Sequence, residues 1–430
     1  MNYYFVAFVA FISYILYKFY IYPLYLSPIS KIPGPPVDSL IFGHYGSFLN
    51  KEPGEAFAHI VKQYGGIVRY HGVFNKSYLL ISDPKLIQEV LVNHSYDYPK
   101  LFLNKSIAKE IFGEGIVLAD RDAHKRQRKM MNSSLAFTYV KEMVPTFIQA
   151  GHKLKDLWMK QIGNNKEERI KITNLIPKIT LDVIGLADKL VVEQKNTPDQ
   201  GNNSLSLLIK ANENLPIVEQ LTHNELVSQV MTLLLAGHET TSNALSWALY
   251  FLAKHPDTQD RLREELQNIF TDRNHFPTFD EIEQLKYLEC VFKETLRIIP
   301  PLAEIIRYNS KDEIMNSYVV PKGTPLIIPV YAIHHDSLIW GDDAKDFNPS
   351  RWLDPEIKSK ISNFNFLTFG AGPRSCLGMK LAHMELKSIL SIIIRNFEFK
   401  LVEGFTFRMK ISGLTRPIPG IDLLVSKVDN

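Results

Sequence analysis

Phe369-Gly370-Ala371-Gly372-Pro373-Arg374-Ser375-Cys376-Leu377-Gly378 is a glycine- and proline-rich loop whose cysteine runs straight into an amphipathic stretch, Met379 to Ile394. The apolar periodicity of that stretch predicts a helix. A thiol at a helix start feels the positive end of the macrodipole, which favours its thiolate form and makes it a ligand or a nucleophile. The glycines let backbone approach a large planar body and aim amides at the sulfur. Arg374 adds a cation for an anionic substituent of that body. A zinc site would need further cysteine or histidine at short spacing, and no such partner is present. A catalytic thiol would need a base; His383 is a candidate, but it lies about two turns along the helix, far from its start.

Working outward, the only other cysteine is Cys290, set among Leu288, Val291 and Phe292, where it reads as a small core hydrophobe. Two cysteines in 430 residues exclude a disulfide framework and point to a reducing compartment. A hydrophobic share of 45% with 22% charged residues describes a globular chain, neither disordered nor many times membrane-spanning. The net charge of +3, without a long basic run, gives no reason to expect nucleic-acid binding.

Thr222-His-Asn-Glu225 is a capping box, and an apolar periodic pattern follows it to Ala253, before His255-Pro256. A helix of that length spans about 48 Å and crosses a whole domain, so its centre is expected to be buried. That centre reads Ala236-Gly237-His238-Glu239-Thr240-Thr241. One reading is a polar kink in which a threonine bonds back to a carbonyl one turn earlier. The other is that Ala236 and Gly237 admit a flat ligand while Glu239 and Thr240 relay protons. A second capping box, Thr278 to Glu281, opens a further helical region whose last helix ends at Pro300-Pro301 and carries Glu294 and Arg297 on one face. Arg351 stands between Phe347 and Trp352 in a proline-punctuated loop; Glu294 between two arginines would be an architectural lock.

At the other end, Tyr3 to Tyr17 carry no charge and the apolar, tyrosine-rich character continues to Leu26, enough for a bilayer-spanning helix. Lys18 and Lys31 follow on the side that prefers the cytosol. Ile32-Pro33-Gly34-Pro35-Pro36 then breaks this helix from the globular domain.

Taken in order, these segments resemble the cytochrome P-450 family in its microsomal, membrane-anchored form, over nearly the whole chain. The resemblance implies a mainly α fold with small β-sheets: an anchor over 1–26, a proline-rich hinge over 27–36 and a heme-thiolate catalytic domain over 37–430. It implies heme b held through Cys376 as axial ligand, within the loop that includes Phe369, Gly370 and Gly378 and beneath Ala236 and Gly237. Thr240 and Glu239 resemble the proton-delivering pair, and Glu294, Arg297 and Arg351 the structural triad. Arg374, Arg307, Arg128 and His124 match positions that bind heme propionates; histidine replaces the usual tryptophan at 124 but keeps one hydrogen-bond donor.

By the same resemblance the chain is a monooxygenase that inserts one atom of O2 into an apolar small molecule. Its electrons would come from NADPH through a cytochrome P-450 reductase, at the endoplasmic reticulum membrane, with the catalytic domain facing the cytosol. Lys125, Arg126 and Lys129 suit docking of an acidic reductase, or form a solvated basic face. One departure stands out. The helical stretch Thr173 to Ala187 runs into Asp188-Lys-Leu-Val-Val-Glu and a polar loop at 196–203, where the family has two roof helices. A deletion near Ala187/Asp188 is expected, and with it an alternative reading: a heme-binding protein with impaired or no turnover. A reductase-independent isomerase or dehydratase is disfavoured by Thr240 and Glu239.

Overall fold

The computed structural model describes residues 3–49, 51–52, 54–100, 105–135, 137–194, 212–412 and 414–428. The polar loop expected at 196–203, and most of the segment after it, lie outside the described residues.

The densest packing joins two helices, Phe137–Ile162 and Met379–Asn396, here called the proximal helix. Ile389, Leu390, Ile392 and Ile393 of the proximal helix are buried against Phe147, Ile148 and Leu154 in one core. Gly151 makes the close approach possible, since a Cβ there would sit 2.7 Å from Ile392 Cδ1. Cys290 belongs to this core, as its apolar neighbours indicated.

The long helix, His223–Lys254, starts at its capping box: Thr222 Oγ1 accepts from Glu225 N at 3.2 Å and Glu225 Oε2 from Thr222 N at 2.9 Å. The box at Thr278 and Glu281 is likewise complete. From Thr241 to Leu249 every residue is buried, but Ala236 to Thr240 are partly or fully open, contrary to the expectation of a buried centre. The reason is that Ala236 and Thr240 border a cavity and Glu239 pairs with a β-hairpin, so among the described residues no packed layer covers them.

The helix expected to stop near Ala187 continues without a break, from Ile172 to Gln194. Nothing in Asp188-Lys-Leu-Val-Val-Glu terminates a helix: the stretch has no glycine, asparagine or proline.

A four-stranded sheet is ordered Ile67–His71, Ser77–Ile81, Pro325–Ile328, Ile305–Tyr308, with only its middle pair parallel. Pro325–Ile328 is buried along its whole length, as its central position requires. A three-stranded antiparallel sheet joins Glu167–Lys171, Asp422–Lys427 and Phe397–Leu401. The hairpin Arg408–Ser412 with Leu414–Ile418 leans on the long helix, where Asn243 Nδ2 donates to the Thr415 carbonyl at 2.5 Å.

Among the described residues one stretch, Tyr3–Lys31, is long and apolar enough to cross a membrane. It winds as an α-helix to Leu16 and then in wider, π-type turns over Tyr17–Leu26. The proline-rich segment after it is docked rather than a free hinge. Ile29 and Ile32 are buried, Arg69 N donates to the Pro33 carbonyl at 2.9 Å, and Arg69 Nε to the Ile32 carbonyl at 2.8 Å. A second tie is Asn75, fully buried in a left-handed conformation (φ 55°) that asparagine tolerates. Its Nδ2 donates to the Phe19 carbonyl at 3.0 Å and the Leu40 carbonyl at 2.8 Å.

Glu385 of the proximal helix is buried with Oε1 unpartnered. Burial raises its carboxyl from an ordinary 4.5 to about 8. The folded protein therefore keeps this proton where the unfolded chain releases it, and stability falls as pH rises from 4.5 to about 8. Glu385→Gln is expected to be the more stable protein at pH 8 and to lose that advantage toward pH 4.5, in urea unfolding series across this range.

Candidate functional site

Glu294 lies fully buried at the centre of a polar lock. Its two oxygens accept from Arg297 Nη2 at 2.8 Å, Arg297 Nε at 2.9 Å, Arg351 Nε at 2.9 Å, Trp352 Nε1 at 2.9 Å and Asn348 N at 2.9 Å. The guanidinium groups are satisfied in turn. Arg297 donates to the carbonyls of His334 (2.7 Å) and Ala344 (2.5 Å), and Arg351 to Asp343 and the Trp340 carbonyl (2.6 Å). Buried charges persist only when paired and bonded in this way. The sequence offered Glu294, Arg297 and Arg351 as one lock; the structure brings the three together and adds Trp352.

This lock is tied to the cysteine loop through His334, wholly buried and held neutral by burial. Leu367 N donates to His334 Nε2 at 2.9 Å, so Nδ1 carries the proton that goes to the Arg297 carbonyl at 3.2 Å. From Leu367 the chain turns through Gly370 (φ 67°) and Gly372 (φ 70°), both in the left-handed region, and closes with Cys376 N donating to the Phe369 carbonyl at 2.8 Å. A side chain at Gly372 would strike the Leu91 carbonyl. Arg128 clamps the same loop, donating to the Ser375 carbonyl at 2.5 Å and Ser375 Oγ at 3.2 Å.

Cys376 opens onto a cavity of about 450 Å³. Phe369, Gly370 and Ala371 form its floor with the cysteine, and Ala236, Thr240 and Thr241 of the long helix stand among the rest of its lining. Burial raises the thiol above its ordinary value, and the Gly378 amide and Arg128 only partly oppose this. The residue nonetheless stays exposed on its cavity side, where a ligand can reach the sulfur.

Arg374, Arg307 and Lys100 also line the cavity. Lys100 carries no local motif that points to the cavity; a backbone bridge to Arg307 brings it here. Burial, then Arg307 and Arg374, push it down to about 7, and burial lowers Arg307 to about 10. Arg307 Nε and Arg374 Nε are buried without hydrogen-bond partners among the described residues. Arg374 pairs with Asp120 and lies 4.9 Å over the Tyr96 ring, whose hydroxyl meets His124 Nδ1 at 3.0 Å. Burial and these cations push His124 down to about 3, so it is neutral. Such an excess of buried cations suits a ligand with negative groups.

Gly237, Gly378, Glu239, Arg128 and His124 are not part of the cavity lining. Thr240 Oγ1 donates to the Ala236 carbonyl at 2.6 Å, the back-bond considered for this helix, while Glu239 pairs with Arg416 at 2.5 Å. Lys125, Arg126 and Lys129 are paired with Asp122, Glu225 and Glu219.

Residues 33–187 and 185–425 match the family described as cytochrome P-450. The chain belongs to the cytochrome P-450 family. As such it is an oxidoreductase of the oxygen-incorporating kind, and the family is one of heme proteins. Cytochrome P-450 monooxygenase 205 of Postia placenta is 29% identical over 493 aligned positions, covering 91% of this chain and 90% of that protein. The monooxygenase sphH of Aspergillus fumigatus is 29% identical over 455, covering 87% and 84%. Ganoderic acid synthetase of Ganoderma lucidum is 27% identical over 492, covering 88% and 89%. Each alignment is longer than the 430-residue chain, so these P-450 relatives carry residues without a counterpart here. The family match itself divides at 185–187, beside the expected deletion.

Removing the lock's carboxylate strands two buried guanidinium groups. Glu294→Gln is expected to cost about 3–5 kcal/mol, measured by urea unfolding.

Proposed function

We propose that this P-450 is a membrane-anchored monooxygenase that oxidises an apolar small molecule, using O2 and electrons from an NADPH-dependent reductase. The observation that carries the reading is Cys376 in the lining of one cavity with buried cations that have orphaned donors and with Ala236, Thr240 and Thr241 of the long helix.

Heme fits this chemistry. Cys376 would hold the iron, and a thiol gives up its proton on binding a metal cation, which offsets the effect of burial. Arg307, Arg374 and Lys100 would take the propionates, with His124 and Arg128 supporting Arg374 and the cysteine loop from behind. When bound, the heme supplies the activation of dioxygen, and the thiolate favours O–O cleavage. The chain's own part is to position and to supply protons. Thr240 borders the cavity with its proton lent to the Ala236 carbonyl, so its oxygen is left to accept one proton as the other passes on. Glu239 is held by Arg416 and must leave that exposed pair to feed Thr240; exposed pairs are worth at most about 1 kcal/mol, so release is cheap. The same holds for Lys125 and Lys129, whose exposed partners can be exchanged for an acidic reductase.

For the membrane, Tyr3–Lys31 supplies the anchor, and Lys18 and Lys31 favour a cytosolic catalytic domain at the endoplasmic reticulum. A second reading, heme binding with impaired turnover, is favoured by the division of the family match at 185–187.

Reduced protein with carbon monoxide is expected to give a heme-thiolate spectrum that Cys376→Ala abolishes; an unchanged spectrum would sink the assignment. With reductase and NADPH, Thr240→Ala is expected to lower product formed per NADPH consumed by at least about tenfold. If the parent protein itself consumes NADPH and gives only peroxide with every apolar substrate, the impaired reading holds instead.

A further inference from the structure

Most polar side chains around the cavity already have partners. Thr240 donates to the Ala236 carbonyl at 2.6 Å, Thr368 to the Leu296 carbonyl at 3.3 Å, and Lys100 to the Val117 carbonyl at 2.8 Å. Arg374 is paired with Asp120, and Arg307 Nη1 donates to the Ile306 carbonyl at 2.8 Å. Glu304 also lines the cavity, yet its carboxyl has no hydrogen bond or ion pair among the described residues. Burial raises it above the ordinary carboxyl range, and no neighbouring charge opposes that.

Its place is fixed. Glu304 lies between the Pro300-Pro301 helix stop and the strand Ile305–Tyr308, and the flanking backbone is pinned: Thr415 N donates to the Pro301 carbonyl at 2.9 Å and Tyr331 N to the Ala303 carbonyl at 3.0 Å. The orphaned donors of Arg307 and Arg374 call for an anion, and an acid cannot share an anion's site without repulsion. Glu304 therefore belongs to a second ligand group of opposite sign. Its neighbours in the lining are Pro301, Leu302, Ile305 and Ile306, which offer that group hydrocarbon, and the nearby Tyr70 phenol feels the carboxylate's charge without bonding to it among the described residues. In such surroundings an unpaired carboxylate is costly, and a cation recovers most of the cost.

We propose that Glu304 is a specificity-determining residue, and that the cavity takes an apolar molecule bearing a protonated or quaternary amine whose cation lies against Glu304. The proposal rests on the monooxygenase reading. It makes the cation the feature read by the protein, and a neutral or acidic molecule of the same shape the one turned away.

Three probes with one hydrocarbon chain separate these cases: octyltrimethylammonium, octanol and octanoate. The quaternary nitrogen has no lone pair, so it cannot bind iron directly. Binding to the heme-loaded full-length protein is measured by calorimetry against a protein-free detergent blank. The cation is expected to bind at least about tenfold more tightly than octanol. Glu304→Gln should erase that preference and Glu304→Asp keep part of it. Octanol or octanoate binding as tightly as the cation in the parent protein would overturn the proposal, a ranking that needs no variant to fold. A cation preference that survives Glu304→Gln would overturn it as well. An intact carbon monoxide spectrum without cation preference removes this inference alone, whereas a parent protein lacking that spectrum removes the reading beneath it.

Discussion

A single carboxylate, Glu294, accepts hydrogen bonds from two arginines, a tryptophan and a backbone amide, all out of reach of water. Placing three charges in a protein interior is unfavourable unless each lone pair and each N–H finds a partner. Here the partners come from the Lys286–Ile298 helix, from the 343–352 loop and from carbonyls around His334, so the network forms only when all three segments are in place. His334 then passes that order on to Leu367 and the glycine turns that present Cys376. The position of the sulfur is thus set by hydrogen bonds that begin some eighty residues earlier in the chain.

On the other side of the cavity the electrostatics run the opposite way. The lock is satisfied from within, whereas among the described residues Arg307 Nε and Arg374 Nε retain unmet demand and Lys100 holds its charge only weakly. A protein that holds partly desolvated cations next to an apolar cavity is prepared for an anionic partner, and its pKa values record the cost of holding them without one. The open turn Ala236–Thr240 belongs with this picture: the long helix is packed where it crosses the core and bare where it meets the cavity.

How much of this was legible in the sequence depended on range. The starts at Thr222 and Thr278 were readable because four neighbouring residues decide a capping box. Glu294 and Arg297 shared a face by spacing alone, and the Gly/Pro-rich loop before Cys376 announced its turns. Arg416, 177 positions from its partner Glu239, gave no local signal, and Lys100 reached the cavity only through its bridge to Arg307. The helix read over Thr173 to Ala187 runs on to Gln194 because Asp188-Lys-Leu-Val-Val-Glu holds no glycine or proline to stop it.

Asn75 holds the Phe19 carbonyl of the apolar helix with one amide hydrogen and the Leu40 carbonyl of the globular body with the other. A helix joined only by a flexible tether would let the body tumble like a buoy on a chain. Here the mooring is a bracket: in the membrane-anchored state proposed above, whatever tilt the helix adopts is handed to the body, and with it the direction in which the cavity opens.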